Sequence, residues 1–356
     1  MYETSFLTSF LGFFLVLTPL IFIHELGHYF AAIKSGVRVE SFSIGFGPEL
    51  IGFNDKSGTR WKFSLIPLGG YVKMKGELVN ISNNVEKNRN DKDAFLNSSI
   101  FSRIFIVVSG PIANLVLGSL LITSIYVFNG RYFTPPIVEE VIVSQPAMVA
   151  GIISGDEIIS INDLKINEFN DIKNIVENSS ENSLVFKILR FNSVITLNII
   201  PSNYFDSKLN KNIGRIGIKA SPTILKKLSI LEAFRSGFFD SIQMTKEWLK
   251  GLKSLLSLNV DKKDILGPIG IAKVSGSSLN KGLFSVLFLM AVLSINLGLI
   301  NLLPIPALDG GYLVLFMYEL IFKKPLSSSI QIFLLKFGFI FLVSLMLLVT
   351  AFDLGF

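Results

Sequence analysis

Residues 5–33 read SFLTSFLGFFLVLTPLIFIHELGHYFAAI, an apolar run that contains His24-Glu25-Leu26-Gly27-His28 near its far end. A helix that crosses a bilayer needs about 20 apolar residues, so this run predicts a membrane span. Ionisable residues inside such a span are costly and are usually functional. Residues 1–23 contain no Lys or Arg, and no small-residue cleavage site follows the run. We therefore expect the segment to be retained and not removed as a signal peptide.

Composition extends this prediction to the whole chain. Of 356 residues, 50% are hydrophobic and 17% are charged, whereas soluble domains carry about 25% charged residues. We predict a polytopic α-helical membrane protein with four transmembrane helices. The predicted division is 1–33, first span; 34–103, loop with a β-element; 104–128, second span; 129–204, small soluble domain; 205–282, amphipathic helix and connector; 283–311, third span; 312–329, short cytoplasmic or interfacial segment; and 330–356, fourth span. The absence of cysteine excludes disulfides, cysteine-bound metals and thiol catalysis.

The distribution of basic residues predicts the orientation. The loop 34–103 carries eleven Lys and Arg residues, and the link between the last two spans carries Lys323 and Lys324, whereas the terminal tails carry none. Short basic loops stay in the cytoplasm, and long loops translocate largely regardless of charge. We therefore expect residues 34–103 and 323–329 inside, and both termini and residues 129–282 outside.

Three further patterns lie outside the spans. Residues 135–203 contain four short runs of strand-forming residues and one short helical run, which predicts a compact barrel-like module. Apolar residues recur at helical spacing over 228–256, which predicts an amphipathic helix that either packs on protein or lies on the membrane surface. Residues 60–65 alternate polar and apolar side chains and predict a β-ribbon, and the Asn-rich residues 80–93 predict a linker.

The two histidines of the chain, His24 and His28, lie on either side of Glu25 in the first span. Positions i and i+4 share one face of a helix, so both imidazoles can bind one metal ion. Glu25 lies about 100° round the helix and can reach a water on that metal. Catalytic zinc combines three protein ligands with one water, whose pKa it lowers so that a carboxylate can take the proton. The alternative is a pair of interface histidines that bind no metal.

A third ligand is needed, and Asp309 is the candidate. It follows NLLPIPAL at 301–308, where two prolines stop a helix, and it precedes two glycines that permit a tight backbone. Irregular backbone at membrane depth occurs only where it is buried in protein or lines a cavity. The first and third spans run in the same direction, so His24 and Asp309 end on the same side of the membrane. Taken alone, Asp309 could instead be a turn residue that ends a helix.

Taken together, the motifs resemble a known family. Besides HELGH and Leu308-Asp309-Gly310, they are GFG at 45–47, PLGGYV at 67–72, SGPIAN at 109–114 and GPIGI at 267–271. Over nearly its whole length the chain resembles the site-2 proteases of peptidase family M50, in the bacterial branch that includes the regulator-of-sigma-E protease. It departs from the longest relatives, because there is room for one PDZ domain and not two. It also has Tyr312 where relatives often have histidine.

The resemblance implies an intramembrane zinc metalloprotease of the bacterial plasma (inner) membrane. It implies that Zn²⁺ is bound by His24, His28 and Asp309 near the cytoplasmic face, and that Glu25 is the general base. It also implies that residues 135–203 form a PDZ domain outside the membrane.

Two asparagines and the β-ribbon also receive roles from the resemblance. Asn114 and Asn301 resemble family asparagines near the active site, where an amide holds substrate backbone or stabilises an oxyanion. Packing between helices is the alternative for both. The strands around 60–65 and 71–74 resemble a membrane-associated β-element, and pairing to a strand edge would extend a helical substrate.

The implied partners are single-span transmembrane substrates, for example an anti-sigma factor or a remnant signal peptide. An upstream site-1 protease would act on the same substrate; membrane lipid is a further partner, and no nucleic acid is expected. One alternative is a catalytically inactive membrane scaffold that collects partners through its PDZ domain, against which the intact Glu25 and ligand set count. A zinc transporter is the other, and it would give the HExxH glutamate no purpose.

Overall fold

The computed structural model describes residues 5–77, 91–206, 211–257 and 266–355, so most of the predicted linker 80–93 lies outside the described residues. In chain order the helices are α1 (Phe6–Lys34), α2 (Ile100–Phe128), α3 (Pro146–Val149), α4 (Phe169–Glu177), α5 (Ile230–Leu256), α6 (Pro268–Lys281), α7 (Leu283–Asn301), α8 (Asp309–Phe322) and α9 (Ser328–Asp353). The strands are β1 (Val39–Asn54), β2 (Arg60–Met74), β3 (Arg131–Phe133), β4 (Val138–Val141), β5 (Glu157–Ile161), β6 (Leu164–Lys165), β7 (Leu184–Arg190), β8 (Ser193–Ile199), β9 (Ser202–Asp206), β10 (Lys211–Arg215), β11 (Ile218–Ala220) and β12 (Ile224–Lys226). The chain divides into two compact units, one of residues 1–125, 234–253 and 260–356 and one of residues 126–233 and 254–259.

Within the described residues, the helices long and apolar enough to cross a membrane are α1, α2, α7 and α9. Their number matches the four predicted spans. The third of them ends at Asn301, ten residues before the predicted end at 311, because Pro304 and Pro306 cannot continue a helix. The run 312–322 therefore does not continue the third span. It belongs to α8, a separate helix that begins at Asp309.

The loop between α1 and α2 folds into an antiparallel sheet, so the predicted β-ribbon is present. β1 bends, and its first half, residues 39–46, lies between two segments of β2, residues 60–66 and 70–74. Its second half, residues 49–54, pairs with the first of these segments. Among the described residues, segment 70–74 is therefore paired along one side only. We call residues 70–74 the edge strand.

Aromatic packing holds this sheet against α1. Tyr29 of α1 packs edge to face on Phe42 and Trp61, with ring centroids 5.8 and 4.9 Å away. The Tyr29 hydroxyl and the Trp61 indole N–H both donate to Asp55 Oδ2, at 2.8 and 2.9 Å. The edge strand is thus fixed to the helix that carries the two histidines.

The second unit contains the predicted module. β5 and β7 lie at the centre of a four-stranded sheet with the order β6-β5-β7-β8. Ile158, Phe186 and Ile188 are fully buried in its core, against which α4 packs Ile172. The four predicted strands and the predicted helix correspond to β4, β5, β7, β8 and α4.

This module extends beyond the predicted boundary at residue 204. β11 pairs with β4, β12 pairs with β3, and Ile216 joins the core. β11 and β12 are three residues long, which is too short for alternation to be read from sequence.

The predicted amphipathic helix is α5, and it packs on protein. At Gly237 the helix approaches α2 so closely that a Cβ would lie 2.9 Å from the backbone nitrogen of Thr123. Other apolar side chains of α5, including Phe238 and Leu249, are exposed. Contact with the membrane surface remains a prediction for those side chains.

Helix α6 connects the first and last spans of the first unit. A Cβ at Gly12 of α1 would lie 2.9 Å from the backbone nitrogen of Gly276, so the two helices meet backbone to backbone. At the other end of α6, the carboxylate of Asp353 accepts hydrogen bonds from the N–H groups of Gly267 and Gly270, at 3.0 and 2.9 Å. A carboxylate at this position satisfies free amides of the helix N-terminus and complements its dipole.

Candidate metal centre

The three predicted ligands converge in the first unit. His24 and His28 lie one turn apart on α1, and Asp309 is the first residue of α8. The two Nε2 atoms are 3.2 Å apart, and Asp309 Oδ2 lies 3.2 Å from that of His24 and 3.5 Å from that of His28. Both histidines are buried. The structure therefore brings together residues that are 281 and 285 positions apart in the chain.

The distances fit a tetrahedral zinc site. Zinc–nitrogen and zinc–oxygen bonds of about 2.0–2.2 Å place neighbouring tetrahedral ligands roughly 3.3–3.5 Å apart. The three observed separations are within about 0.2 Å of this range. Asp309 Oδ2 is also buried and accepts no hydrogen bond within the described residues. A buried carboxylate oxygen without a donor is costly unless a cation satisfies it.

The fold fixes the orientation of His28. Its Nδ1–H donates to the carbonyl oxygen of Ile106 on α2 at 2.9 Å, which leaves the lone pair of Nε2 directed at the centre. The ring fits only because α2 carries glycine at position 110, where a Cβ would collide with His28 Nε2. A Cβ at Gly27 would likewise collide with the carbonyl of Ser109. The two glycines therefore allow α1 and α2 to approach until the imidazole touches the backbone.

His24 is oriented by Asn114, which is fully buried on α2. The amide nitrogen of Asn114 lies 3.3 Å from His24 Nδ1, while its oxygen is buried without a donor. Turning the amide by 180° exchanges these two atoms. His24 Nδ1–H then donates to the Asn114 oxygen, which satisfies the oxygen and leaves the Nε2 lone pair free to bind metal. The second predicted asparagine, Asn301, lies elsewhere: its amide nitrogen is 3.4 Å from His24 Nε2 and it lines a cavity.

Asp309 reaches the histidines because the chain turns sharply between α7 and α8. At Gly310 a Cβ would collide with the carbonyl of Leu303, so only glycine lets α8 start directly beneath the end of α7. Ala307 adopts φ 77°, in the left-handed region. Gly338 of α9 packs against the carbonyl of Pro306 and covers the turn. The irregular backbone therefore packs against α9 and lines a cavity through residues 307–309, which are the conditions under which such backbone occurs at membrane depth.

A buried ion pair, which the sequence did not indicate, anchors α8 at Glu319, ten residues after Asp309. Arg103 of α2 donates two hydrogen bonds to Glu319, at 3.0 and 2.7 Å, and both side chains are largely buried. Its guanidinium also lies 5.1 Å from the ring centroid of Phe316. Glu319 is thus held by Arg103 and does not join the metal ligands. The predicted span began at 104, which excluded Arg103, whereas α2 begins at Ile100.

A cavity of about 390 Å³ opens on the metal centre. Glu25 lines it beside the histidines and is half-buried. The edge strand forms one wall, where Val72 lines the cavity and a Cβ at Gly70 would lie 3.1 Å from Glu25 Cγ. Tyr312 also lines the cavity. The site therefore combines a metal-binding triad, a carboxyl group beside it and a partly unpaired strand, all within reach of one ligand.

Comparison with known proteins agrees with this chemistry. The sequence model of the family described as "Peptidase family M50" matches residues 12–345, and the chain belongs to that family. "Putative zinc metalloprotease RC0203" of Rickettsia conorii is 37% identical over 97% of this chain and 98% of its own length. "Metalloprotease MmpA" of Caulobacter vibrioides is 33% identical over 99% of this chain and 96% of its own. The predicted family and enzyme class are confirmed, and the predicted cofactor, zinc, agrees with the names of relatives.

Solved structures resemble a part of the chain. A PDZ domain from Listeria innocua aligns with 26% of this chain and 99% of its own length, with a TM-score of 0.22 and 19% identity. A score this low does not establish a shared fold.

Substitution of Gly110 by alanine tests the contact between α2 and His28. We expect Gly110→Ala to lower zinc affinity by about tenfold or more, because the new methyl group displaces a ligand ring. Zinc affinity is measured by competition with a chromogenic chelator. Gly251→Ala is the matched control, since a Cβ there meets nothing within 4 Å. Wild-type zinc affinity in Gly110→Ala would contradict the close approach of the imidazole to α2.

Substitution of Glu319 by glutamine tests the anchor of α8. It leaves the buried guanidinium without a counter-charge, and we expect a loss of about 3 kcal/mol in the free energy of unfolding together with weaker zinc binding. The double variant Arg103→Met/Glu319→Leu removes both charges and regains most of the stability. Glu140→Gln, in the exposed pair with Lys219, changes stability by no more than about 0.5 kcal/mol. Equal effects of Glu319→Gln and Glu140→Gln, measured by denaturant unfolding in detergent, would refute the anchor.

Proposed function

We propose that the protein is an intramembrane zinc metalloprotease that hydrolyses peptide bonds in or near the transmembrane segments of single-span membrane proteins. The observation that carries the proposal is the convergence of His24, His28 and Asp309, at tetrahedral spacing, in a cavity that also holds Glu25. Membership of peptidase family M50 supports it. Zinc, when bound, acts as a Lewis acid and lowers the pKa of the attacking water.

The other residues of the site have separate tasks in this proposal. Glu25 takes a proton from the attacking water and passes it to the leaving nitrogen. Asn301, which lines the cavity, donates a hydrogen bond to substrate or to the developing oxyanion. Asn114 is buried behind His24 and holds that ligand in its metal-binding tautomer.

The edge strand supplies the substrate-binding surface. The peptide groups of a transmembrane helix are engaged in its own hydrogen bonds, so a protease must unwind it before hydrolysis. Addition of the substrate to the partly unpaired side of residues 70–74 would replace those bonds with cross-strand bonds. The close approach of Gly70 to Glu25 supports this placement of the scissile bond.

The proposed location is the bacterial inner membrane, with both termini outside and the metal centre near the cytoplasmic face. The excess of Lys and Arg in residues 34–103 supports this orientation. An anti-sigma factor or a remnant signal peptide fits the substrate class, and an upstream site-1 protease would trim the substrate first. An inactive scaffold and a zinc transporter are less well supported, because neither needs a carboxyl group beside the metal ligands.

Substitution of Glu25 distinguishes the protease from an inactive scaffold and from a zinc transporter. We expect Glu25→Gln to reduce cleavage of a single-span substrate by at least 10²-fold, because the proton acceptor is lost, while zinc content stays at one equivalent. Asp309→Ala is the contrasting variant and is expected to lose both zinc and activity. Mass spectrometry of the cleavage products and metal analysis of the same samples provide the readouts. Wild-type turnover by Glu25→Gln would overturn the proposal, and so would failure of the zinc-loaded wild type to cleave any single-span substrate.

The second unit is a PDZ domain in this proposal, with one of two functions. It either admits only substrates that have already been trimmed, as a steric filter, or captures their new C-terminus by strand addition. An apolar groove of about 290 Å³ lies between α4 and the segment 213–218, lined by Ile172, Val176 and Ile218, and supports capture. The sequence shows no recognisable carboxylate-binding loop, which favours the filter.

Removal of the second unit distinguishes the two functions. Arg131 and Lys226 are cross-strand partners, so a short flexible linker can replace residues 131–226 without strain. If the unit is a filter, the variant cleaves full-length substrate and still cleaves the trimmed form, which is the outcome we expect. If it captures C-termini, full-length substrate stays resistant and the trimmed form is cut more slowly. Ile218→Asp in the groove, with the exposed Val194→Asp as its control, then slows cleavage of the trimmed form only under capture.

A further inference from the structure

Glu77 is a carboxyl group in the active-site cavity that the proposed reaction does not use. It follows the edge strand by three residues and lines the same cavity as Glu25 and Asp309. Its contact with the strand is weak: the Met74 N–H donates to Glu77 Oε2 at 3.4 Å. The carboxyl group is half-buried and faces the space that a substrate would occupy.

The neighbouring lysines are committed to other carboxylates. Lys73 pairs with Glu40 at 2.8 Å, and Lys75 pairs with Asp91 and Asp93 at 3.0 and 2.8 Å. Consistently, burial raises the pKa of Glu77 to about 7, because the loss of hydration outweighs the opposing contributions of the Met74 amide, His28 and Lys73. A cation brought into the cavity by a ligand would favour the charged form of this group.

The edge strand gives the distance between Glu77 and the scissile bond. Gly70 and Val72 lie beside Glu25, whereas Met74, which Glu77 contacts, is two to four residues farther along. At about 3.3 Å per residue this separation is roughly 7–13 Å. A substrate paired with the strand therefore presents to Glu77 a side chain two to four residues from the bond that is cut.

The direction of the strand identifies the part of the substrate that reaches Glu77. Position 70 lies at the depth of Ile21 and Glu25 within α1, whereas the amide of Lys75 donates to Arg38, beyond the end of α1 at Lys34. The strand thus runs from the interior of the span toward its basic end, which is cytoplasmic in the proposed orientation. The cytoplasmic flanks of membrane spans are themselves enriched in Lys and Arg.

We propose that Glu77 forms a subsite for a Lys or Arg side chain in the basic cytoplasmic flank of the substrate, two to four residues from the scissile bond. The inference rests on the proposed function and adds a substrate preference to it. The subsite binds the end of the transmembrane segment and places the scissile bond against Glu25. Glu77 is a specificity-determining residue, since it contacts substrate without taking part in the proton transfers.

A lysine scan of the substrate tests this subsite. A single-span substrate with an uncharged flank is first cleaved by the wild type, and mass spectrometry locates the cut. Lysine, and in a parallel series glutamine, is then placed at each of the six positions before the cut and each of the six positions after it. We expect kcat/KM to be about tenfold higher for Lys than for Gln at a position two to four residues from the cut on one side only, because a hydrogen-bonded ion pair replaces a neutral contact.

Variants at position 77 test whether Glu77 causes the preference for a substrate lysine. We expect Glu77→Gln to reduce the Lys-to-Gln ratio at that position to about one and Glu77→Lys to favour a glutamate substrate instead. Glu49→Gln, in the same sheet, paired with Arg60 and outside the cavity, is the control and retains the wild-type ratio. If Glu77→Gln cleaves too slowly to measure, the ratio of binding affinities is compared between Glu25→Gln and Glu25→Gln/Glu77→Gln.

The outcomes separate the two proposals. If the wild type cleaves every substrate without preferring Lys, or if Glu77→Gln keeps the preference, the subsite is refuted and the protease function stands. If the zinc-loaded wild type cleaves none of the substrates, the function itself is refuted and the subsite with it.

Discussion

The structure depends on one constraint: a carboxylate at the start of α8 must meet two imidazoles of α1 in an environment that is mainly apolar. The segments that carry the ligands pack against their neighbours with no room for an additional methyl group. His28 lies against the backbone at Gly110, and α8 starts directly beneath α7 at Gly310. A Cβ at either position would separate the ligands. Small residues at these contacts therefore serve the metal centre as well as helix packing.

Polar groups buried with the site are satisfied mainly by backbone and by one another. Ile106 accepts from His28, the Asn114 amide pairs with His24, and Glu319 pairs with Arg103. Asp309 Oδ2 has no donor among the described residues and points at the centre of the triad. Because an unsatisfied oxygen costs most where water is excluded, this atom is the clearest sign that a cation completes the site.

The sheet between α1 and α2 brings a different kind of surface to the same place. The first half of β1 is paired on both sides, and the aromatic side chains of the sheet pack it against α1. The edge strand is left to face the cavity. A rigid strand beside the metal ligands can hold an extended peptide in register, which is the geometry that hydrolysis of an unwound helix would require. Glu77 lies where such a peptide would leave the membrane in the proposed orientation.

Much of this protein was determined by its sequence alone. The apolar runs specified four long helices, because length and hydropathy decide what can cross a bilayer. Strict spacing placed His24, Glu25 and His28 on one helix, and the absence of any further histidine pointed to Asp309. Tertiary structure decided the rest. Long-range contacts paired Arg103 with Glu319, separated the roles of Asn114 and Asn301, and extended the second unit to β12. None of these follows from local pattern, because each depends on which residues of distant segments meet when the helices and strands pack.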